Sequence, residues 1–188
     1  MKHHLRSIFM VLAFSIAMPA VAAARCDVRA TRTWQSDHGK QFTVEAFSSG
    51  PDCPNAVVTL VVRSKAGKPE YWFSSPAADV AVFTSINEKP IANSKAMKAA
   101  LEQWIGLASK PIMDGFDKLP DWKMGDAGPT QSEFPFRVND AITRDDYIKW
   151  RKSKRALFCF VQGMESANCL IVNDSGSIIE VGIQSFPG

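Results

Sequence analysis

Two cysteines in the last third of the chain constrain its fold most. Cys159 and Cys169 flank a short polar segment between two apolar runs, in the sequence FCFVQGMESANCLIV (residues 158–172). Apolar runs of this length on either side of a turn predict the two strands of an antiparallel hairpin. In a hairpin centred between them, the two cysteines face each other directly, and a disulfide then needs little backbone movement.

Three roles are open to these thiols: metal ligands, a redox couple or structural disulfides. A metal site needs closely spaced cysteine pairs or histidines at ligand spacing, and a redox couple needs a C-x-x-C motif. The sequence contains neither pattern. Of the three pairings that four cysteines allow, we therefore predict the local one, with disulfides from Cys26 to Cys53 and from Cys159 to Cys169.

The amino-terminal segment is typical of a signal for export. Lys2 and Arg6 precede an apolar run over residues 8–18, and small residues with A-x-A spacing follow. This is the layout of a secretory signal peptide, and the run is shorter than the about 20 residues of a membrane-spanning helix. We expect residues 1–24 to be a signal peptide and residues 25–188 a single domain, periplasmic or secreted, with no membrane anchor after cleavage. An uncleaved anchor is the alternative.

The charge of the chain is almost balanced once this segment is set aside. The net charge of +3 includes Lys2 and Arg6, and the segment has no acidic residue, so residues 25–188 carry +1. A nearly neutral protein has no long-range field with which to collect polyanions. We therefore expect no nucleic-acid partner.

The first half of the remaining sequence predicts short strands joined by polar turns that contain glycine. Four such runs precede residue 77, and the third of them, AVVTLVV (residues 56–62), is expected to be a central strand buried on both faces. The next run, ADVAVFT (residues 78–84), is either a fifth strand or a link to a helix.

Helices are predicted in the middle of the chain and strands again at its end. Apolar residues at helical spacing indicate a helix over residues 93–108, and Thr143 followed by two aspartates marks the start of a second helix that ends at Lys152. Three apolar runs after residue 155 predict further strands. The sequence thus predicts an α+β fold: a mainly antiparallel sheet of about seven strands, two to three helices between the two strand groups, and two disulfides.

Residues 109–140 are expected to be an irregular connection, because they contain four prolines and three glycines. Long connections of this kind are usually functional or mobile. A short helix is predicted before Pro120 from the helical spacing of four apolar residues, Ile112, Met113, Phe116 and Leu119.

Trp122 is the candidate ligand-binding residue of this segment, together with Asp121 and Lys123. A flat aromatic ring between two hydrogen-bonding side chains suits the recognition of a carbohydrate or a peptide. The alternative interpretation is that Trp122 folds back to cover the core, as most large aromatic residues do in small domains.

Catalytic motifs are not found, and no cofactor or metal site is predicted. His38 lies in a predicted turn, where a histidine is more typical of the surface than of a catalytic base. Carboxylates in the irregular connection can serve a hydrolase or bind calcium, but in such a segment they are more typical of solvated turns. They are Asp114, Asp117, Asp121 and Asp126. The basic run RKSKR (residues 151–155) suits the carboxyl end of a helix, with an anion or lipid contact as the alternative.

Three functional hypotheses follow from these patterns. The favoured one is a non-catalytic binding or accessory protein of the bacterial envelope that recognises a protein or a glycan of that envelope. The second is an envelope hydrolase that uses the loop carboxylates, and the third is a subunit of a larger envelope assembly. The sequence does not identify the ligand.

Overall fold

The computed structural model describes residues 25–37, 39–84, 91–106, 115–129 and 135–185. Within these ranges the chain forms eight strands in two four-stranded antiparallel sheets, and two α-helices. The predicted α+β class, with mainly antiparallel strands and two disulfides, is confirmed. The candidate signal segment 1–24, His38 and Asp114 lie outside the described residues.

The first sheet, sheet 1, is a meander in which each strand pairs with the next along the chain. Its strands are β1 (Val28–Gln35), β2 (Gln41–Ser49), β3 (Val57–Ser64) and β4 (Pro69–Pro76). The prediction that β3 is a central strand buried on both faces holds for its inner face and for Val61, which is 6% exposed on the outer face, but not for the start of the strand. Strand β3 is an interior strand of the sheet, but Val57 is 43% exposed because one face of sheet 1 is open to solvent there.

The second sheet, sheet 2, comes from the last third of the chain and has the strand order β5-β8-β7-β6. Its strands are β5 (Phe136–Val138), β6 (Phe158–Val161), β7 (Ser166–Val172) and β8 (Ile178–Ser185). Strand β5 lies within residues 109–140, where the sequence predicts an irregular connection with one short helix and no strand. It pairs along β8, a contact between distant parts of the chain that a three-residue run does not reveal.

Both predicted disulfides are present. Cys159 on β6 pairs directly with Cys169 on β7, in the register expected from the sequence, and their sulfur atoms are joined. The second disulfide joins Cys26, just before β1, to Cys53 in the connection between β2 and β3. The described residues contain no free cysteine.

The helices begin where the sequence predicts. Helix α1 (Ser94–Trp104) is capped by Asn93, whose side chain accepts a hydrogen bond from the Ala96 amide at 3.0 Å. Helix α2 (Arg144–Lys152) is capped in the same way by Thr143.

Two segments left open by the sequence form short 3-10 turns. The run ADVAVFT is a link rather than a fifth strand, with turns at Ala77–Asp79 and Ala81–Phe83. The short helix expected before Pro120 is a 3-10 turn at Phe116–Lys118, and Ile112 and Met113 lie outside the described residues.

Apolar side chains form two clusters, one on each face of sheet 2. The first cluster fills the space between sheet 1, α1 and sheet 2, and includes Leu60, Trp104 and Phe160. The second lies between the opposite face of sheet 2, α2 and the segment around Phe116. Sheet 2 is therefore the middle layer, and the outer face of sheet 1 is left without an apolar cluster in the described structure. In that part of the chain, no helix is both long and apolar enough to cross a membrane.

Candidate functional site

The structure divides the predicted ligand-binding residues between the core and the surface. Trp122 is 8% exposed, and its ring centroid lies 5.6 Å from that of Tyr147. Its indole Nε1 donates to the carbonyl of Asp126 at 2.9 Å. Asp121 and Lys123 on either side are exposed. This burial agrees with the alternative interpretation that Trp122 covers the core, and a ligand-binding role for these three residues stays a prediction.

Helix α2 holds the backbone next to Trp122 with side chains from one helical face. Each of these side chains donates to a carbonyl oxygen: Arg151 to Leu119 at 3.2 Å, Tyr147 to Pro120 at 2.7 Å, and Arg144 to Trp122 at 3.2 Å. Burial raises the pKa of Tyr147, so its hydroxyl stays protonated and remains a donor. Residues 119–122 are thus fixed to the helix by hydrogen bonds, as part of the packed structure.

Of the four loop carboxylates, the structure describes Asp117, Asp121 and Asp126. Asp117 lies 3.7 Å from the ammonium group of Lys118, and Asp121 and Asp126 are exposed. Among the residues that the structure describes, no group of three or more His, Cys, Asp or Glu side chains is placed to hold a metal ion. The hydrolase alternative remains a hypothesis.

Arg155, in the basic run after α2, is buried and joins three parts of the chain. Its side chain is 7% exposed, and its guanidinium donates to the Val172 carbonyl at 3.1 Å and to the Asp174 carboxylate at 2.6 Å. Its Nε lies 4.0 Å from the carboxylate of Asp37, in the turn between β1 and β2. Arg155 therefore has a structural role, whereas the sequence predicts only a favourable positive charge at the carboxyl end of the helix.

Lys149 and Arg155 hold the carboxylate of Asp174 from two sides. Their hydrogen bonds, with Lys149 first, lower the pKa of Asp174 to about 2. Because this folded-state pKa lies below the unfolded value, Asp174 stabilises the fold above pH of about 4 and loses that contribution as the pH falls toward 2.

We expect Asp174→Asn to be less stable than the wild type at neutral pH and to have a flatter stability profile between pH 4 and pH 2. The amide cannot be protonated in this range and makes weaker bonds to the two cations. Urea unfolding at a series of pH values measures both effects. Parallel profiles of the wild type and the variant in this pH range would contradict the assignment.

The outer face of sheet 1 presents one large aromatic side chain to solvent. Trp72 on the edge strand β4 is 73% exposed, whereas its neighbours in sequence, Tyr71 and Phe73, face the inner cluster. The alternation of a strand predicts that residue 72 faces the opposite way from residues 71 and 73. It does not predict which of the two faces is covered, and sequence reasoning therefore missed this residue.

Charged side chains on the same face surround a buried carboxylate. Glu45 on β2 is 7% exposed and pairs with Arg29 at 2.6 Å and with Arg63 at 2.9 Å. Val61 on β3 stands opposite both Glu45 and Trp72, so these two residues lie in one row, two strands or about 10 Å apart. The next row carries a hydroxyl pair, because the Oγ atoms of Thr59 and Ser74 are 3.0 Å apart.

A second polar group lies where the inner face of β4 meets sheet 2. The hydroxyl of Tyr71 donates to Glu180 Oε1 at 2.8 Å, and the side-chain amide of Asn168 donates to the same oxygen at 2.9 Å. Burial, followed by the hydrogen bond to Glu180, raises the pKa of Tyr71, so the phenol stays neutral. The Glu180 carboxylate therefore receives two donors, neither of which is a cation.

Known proteins add no functional information to this geometry. No protein-family model matches the chain, and no curated protein or solved structure shows significant similarity to it. Its function must be argued from the chemistry of its surfaces and cavities.

Proposed function

We propose that the chain is a non-catalytic binding or accessory protein of the bacterial envelope that recognises an envelope glycan with the outer face of sheet 1. The observation that carries this proposal is Trp72, whose side chain is 73% exposed on an open sheet face. A large aromatic side chain that is held on a rigid strand and left in water is typical of a binding surface.

The polar side chains of this face favour a glycan over a protein. The centres of protein interfaces are depleted of charged residues. Here Glu45 lies in the same row as Trp72, and the two arginines paired with Glu45 lie in the neighbouring rows. The hydroxyl groups of Thr59 and Ser74 occupy the row next to that of Trp72. A sugar ring has an apolar face that can stack on an indole and hydroxyl groups that can bond to arginine, carboxylate and hydroxyl groups. The surface offers both kinds of contact.

The disulfides support the proposed compartment. Disulfides persist in oxidising environments such as the periplasm and are rare in the cytosol, and the structure contains two of them. Together with the signal-like segment at residues 1–24, they favour export to the periplasm or beyond the cell. The glycans that such a protein meets are those of the envelope.

We expect Trp72→Ala to lose retention on envelope glycan with little change in stability. The variant removes the stacking surface, and a substitution at so exposed a site usually changes the free energy of unfolding by no more than about 0.5 kcal/mol. Co-sedimentation with peptidoglycan sacculi, and retention on immobilised polysaccharide from the outer leaflet, measure the first effect. Thermal melting measures the second.

Met124→Ala is the matched control, because Met124 is 87% exposed but lies outside sheet 1. Its retention is expected to equal that of the wild type. Equal retention of the two variants would refute the role of Trp72. Capture of an envelope protein by the wild type but not by Trp72→Ala, without glycan binding, would replace the glycan with a protein partner and favour a subunit of an assembly.

A further inference from the structure

A small cavity lies beside β4, on the face of sheet 2 that is turned toward sheet 1. Its volume is about 210 Å³, and its lining includes Arg137, Asp140, Asn168 and Glu180. One row of paired residues crosses sheet 2 here, running from Arg137 through Ile183 and Asn168 to Phe160. Residues directly opposite one another share a face, so Arg137 and Asn168 lie on the same side of the sheet, about 10 Å apart.

Asn168 has a buried acceptor without a partner. The residue is 4% exposed, and its Nδ2 donates to Glu180 at 2.9 Å and to the Tyr71 hydroxyl at 3.3 Å. Because a carboxylate only accepts hydrogen bonds, the contact with Glu180 fixes which end of the amide is the nitrogen. The Oδ1 atom is then left without a hydrogen bond in the described structure. Buried polar atoms are nearly always paired, so an exception calls for an explanation.

Glu180 adds a negative charge that no described cation neutralises. Its Oε1 accepts from Tyr71 and Asn168, whereas the described residues provide no partner for Oε2 and no ion pair for the carboxylate. Asp140 brings a second carboxylate to the same cavity. The Glu180 carboxylate, which has no cationic partner among the described residues, lies next to the Asn168 Oδ1 atom, which accepts no hydrogen bond there. Together they suit an ammonium group, which has three donors and no acceptor.

Arg137 supplies the complementary charge on the other side of the cavity. Its side chain is exposed, and the described residues give its guanidinium no hydrogen bond and no ion pair. A guanidinium binds a carboxylate through two parallel hydrogen bonds. The cavity therefore carries a cation on β5 and acceptors for a cation on β7 and β8.

The backbone of β8 is irregular beside the cavity and lies close to β5. Strand β8 has a bulge at Val181, because Cys169 pairs with Gly182 and Leu170 pairs with Glu180. A Cβ atom at Gly182 would collide with the Arg137 carbonyl and with Phe136, so no larger residue fits at this position. Bulges of this kind re-aim side chains and are frequent at functional sites.

We propose that this cavity binds a small zwitterion, such as a free α-amino acid. The ammonium group binds Glu180 and the Oδ1 of Asn168, and the carboxylate binds Arg137. Because Oδ1 is covered in the ligand-free chain, the ammonium group meets the exposed Glu180 first and reaches Asn168 as that side chain moves. The volume lies below the about 300–1,000 Å³ of pockets for drug-sized ligands, and favours glycine or alanine over large amino acids. This site is separate from the Trp72 face.

Isothermal titration of the disulfide-bonded chain, residues 25–188, tests the assignment with glycine and alanine as probes. Ethylamine and propionate each supply only one of the two charges, so we expect them to bind at least tenfold more weakly than alanine. Glu180→Gln and Arg137→Gln should each weaken alanine binding at least tenfold. Glu180→Gln keeps an oxygen acceptor for Tyr71 and Asn168, and Arg137 is exposed, so both variants are expected to fold.

Glu70→Gln and Arg29→Gln are the matched controls, because they remove the same charges from sheet 1, and their alanine affinity should equal that of the wild type. Trp72→Ala should also bind alanine normally, which separates this test from that of the glycan surface. The absence of binding by both amino acids at millimolar concentration would overturn the proposal. Binding of ethylamine as tight as that of alanine, or normal binding by Arg137→Gln, would also overturn it.

Discussion

Replacing Trp122 by alanine is expected to lower the free energy of unfolding by about 3–5 kcal/mol, the range for truncating a large buried aromatic side chain. The indole is 8% exposed, packs edge to face on Tyr147 and donates to the carbonyl of Asp126. The substitution removes all three contributions and leaves a cavity between α2 and residues 119–122. Thermal melting and urea unfolding measure the loss.

Trp104→Ala is the matched control for this prediction. Trp104 is 3% exposed, its Nε1 donates to Val161 at 2.6 Å, and its ring lies 5.1 Å from that of Phe83. We expect a loss similar to that of Trp122→Ala. A small loss at Trp122 combined with a large one at Trp104 would contradict the structural role of Trp122. Loss of a ligand by that stable Trp122 variant would then support the recognition hypothesis based on Asp121, Trp122 and Lys123.

The features that the sequence predicts correctly are local ones. The pairing of Cys159 with Cys169 follows from the short span of one hairpin, and both helix caps follow from side chains that accept hydrogen bonds three residues ahead. The meander of sheet 1 follows in the same way, because each strand pairs with its neighbour in sequence across a short turn. In each case the residues that decide the structure are close together in the chain.

The features that were missed depend on contacts between distant residues. The place of β5 at the edge of sheet 2 depends on its pairing with β8, which is about 45 residues away in the chain. The outward position of Trp72 depends on which face of sheet 1 is covered, and α1 and sheet 2 decide this. The cavity at Asn168 requires three strands of sheet 2, one of them distant in the chain from the other two, and a bulge in β8, and a single buried asparagine gives no signal of these in the sequence.

Arg155 illustrates the same limit and leads to the second large effect. Within the run RKSKR it is one of four basic residues near the end of a helix, where a cation contributes only about 0.3–1 kcal/mol. In the fold its side chain is 7% exposed and joins the turns that contain Asp37 and Asp174. Its guanidinium also lies 5.8 Å from the centre of the Trp150 ring. The identity of the residue is visible in the sequence, but its burial is not.

We expect Arg155→Ala to lower the free energy of unfolding by about 1–3 kcal/mol, the usual cost of leaving a buried polar group without its partner. The group left without a partner is the carbonyl of Val172, a residue that is 1% exposed. The two carboxylates that lose the guanidinium add less, because Asp37 is 34% and Asp174 48% exposed. Urea unfolding at neutral pH measures this loss.

Lys152→Ala is the control for Arg155→Ala, because Lys152 is an exposed residue of the same basic run and its loss should have little effect on stability. The double variant Arg155→Ala/Asp174→Asn should be more stable than the sum of the single effects predicts, since either change alone already breaks the same contact. If Arg155→Ala is no more destabilising than Lys152→Ala, the basic run acts only through its charge at the helix end. Its surface would then again be available for the anion or lipid contact considered from the sequence.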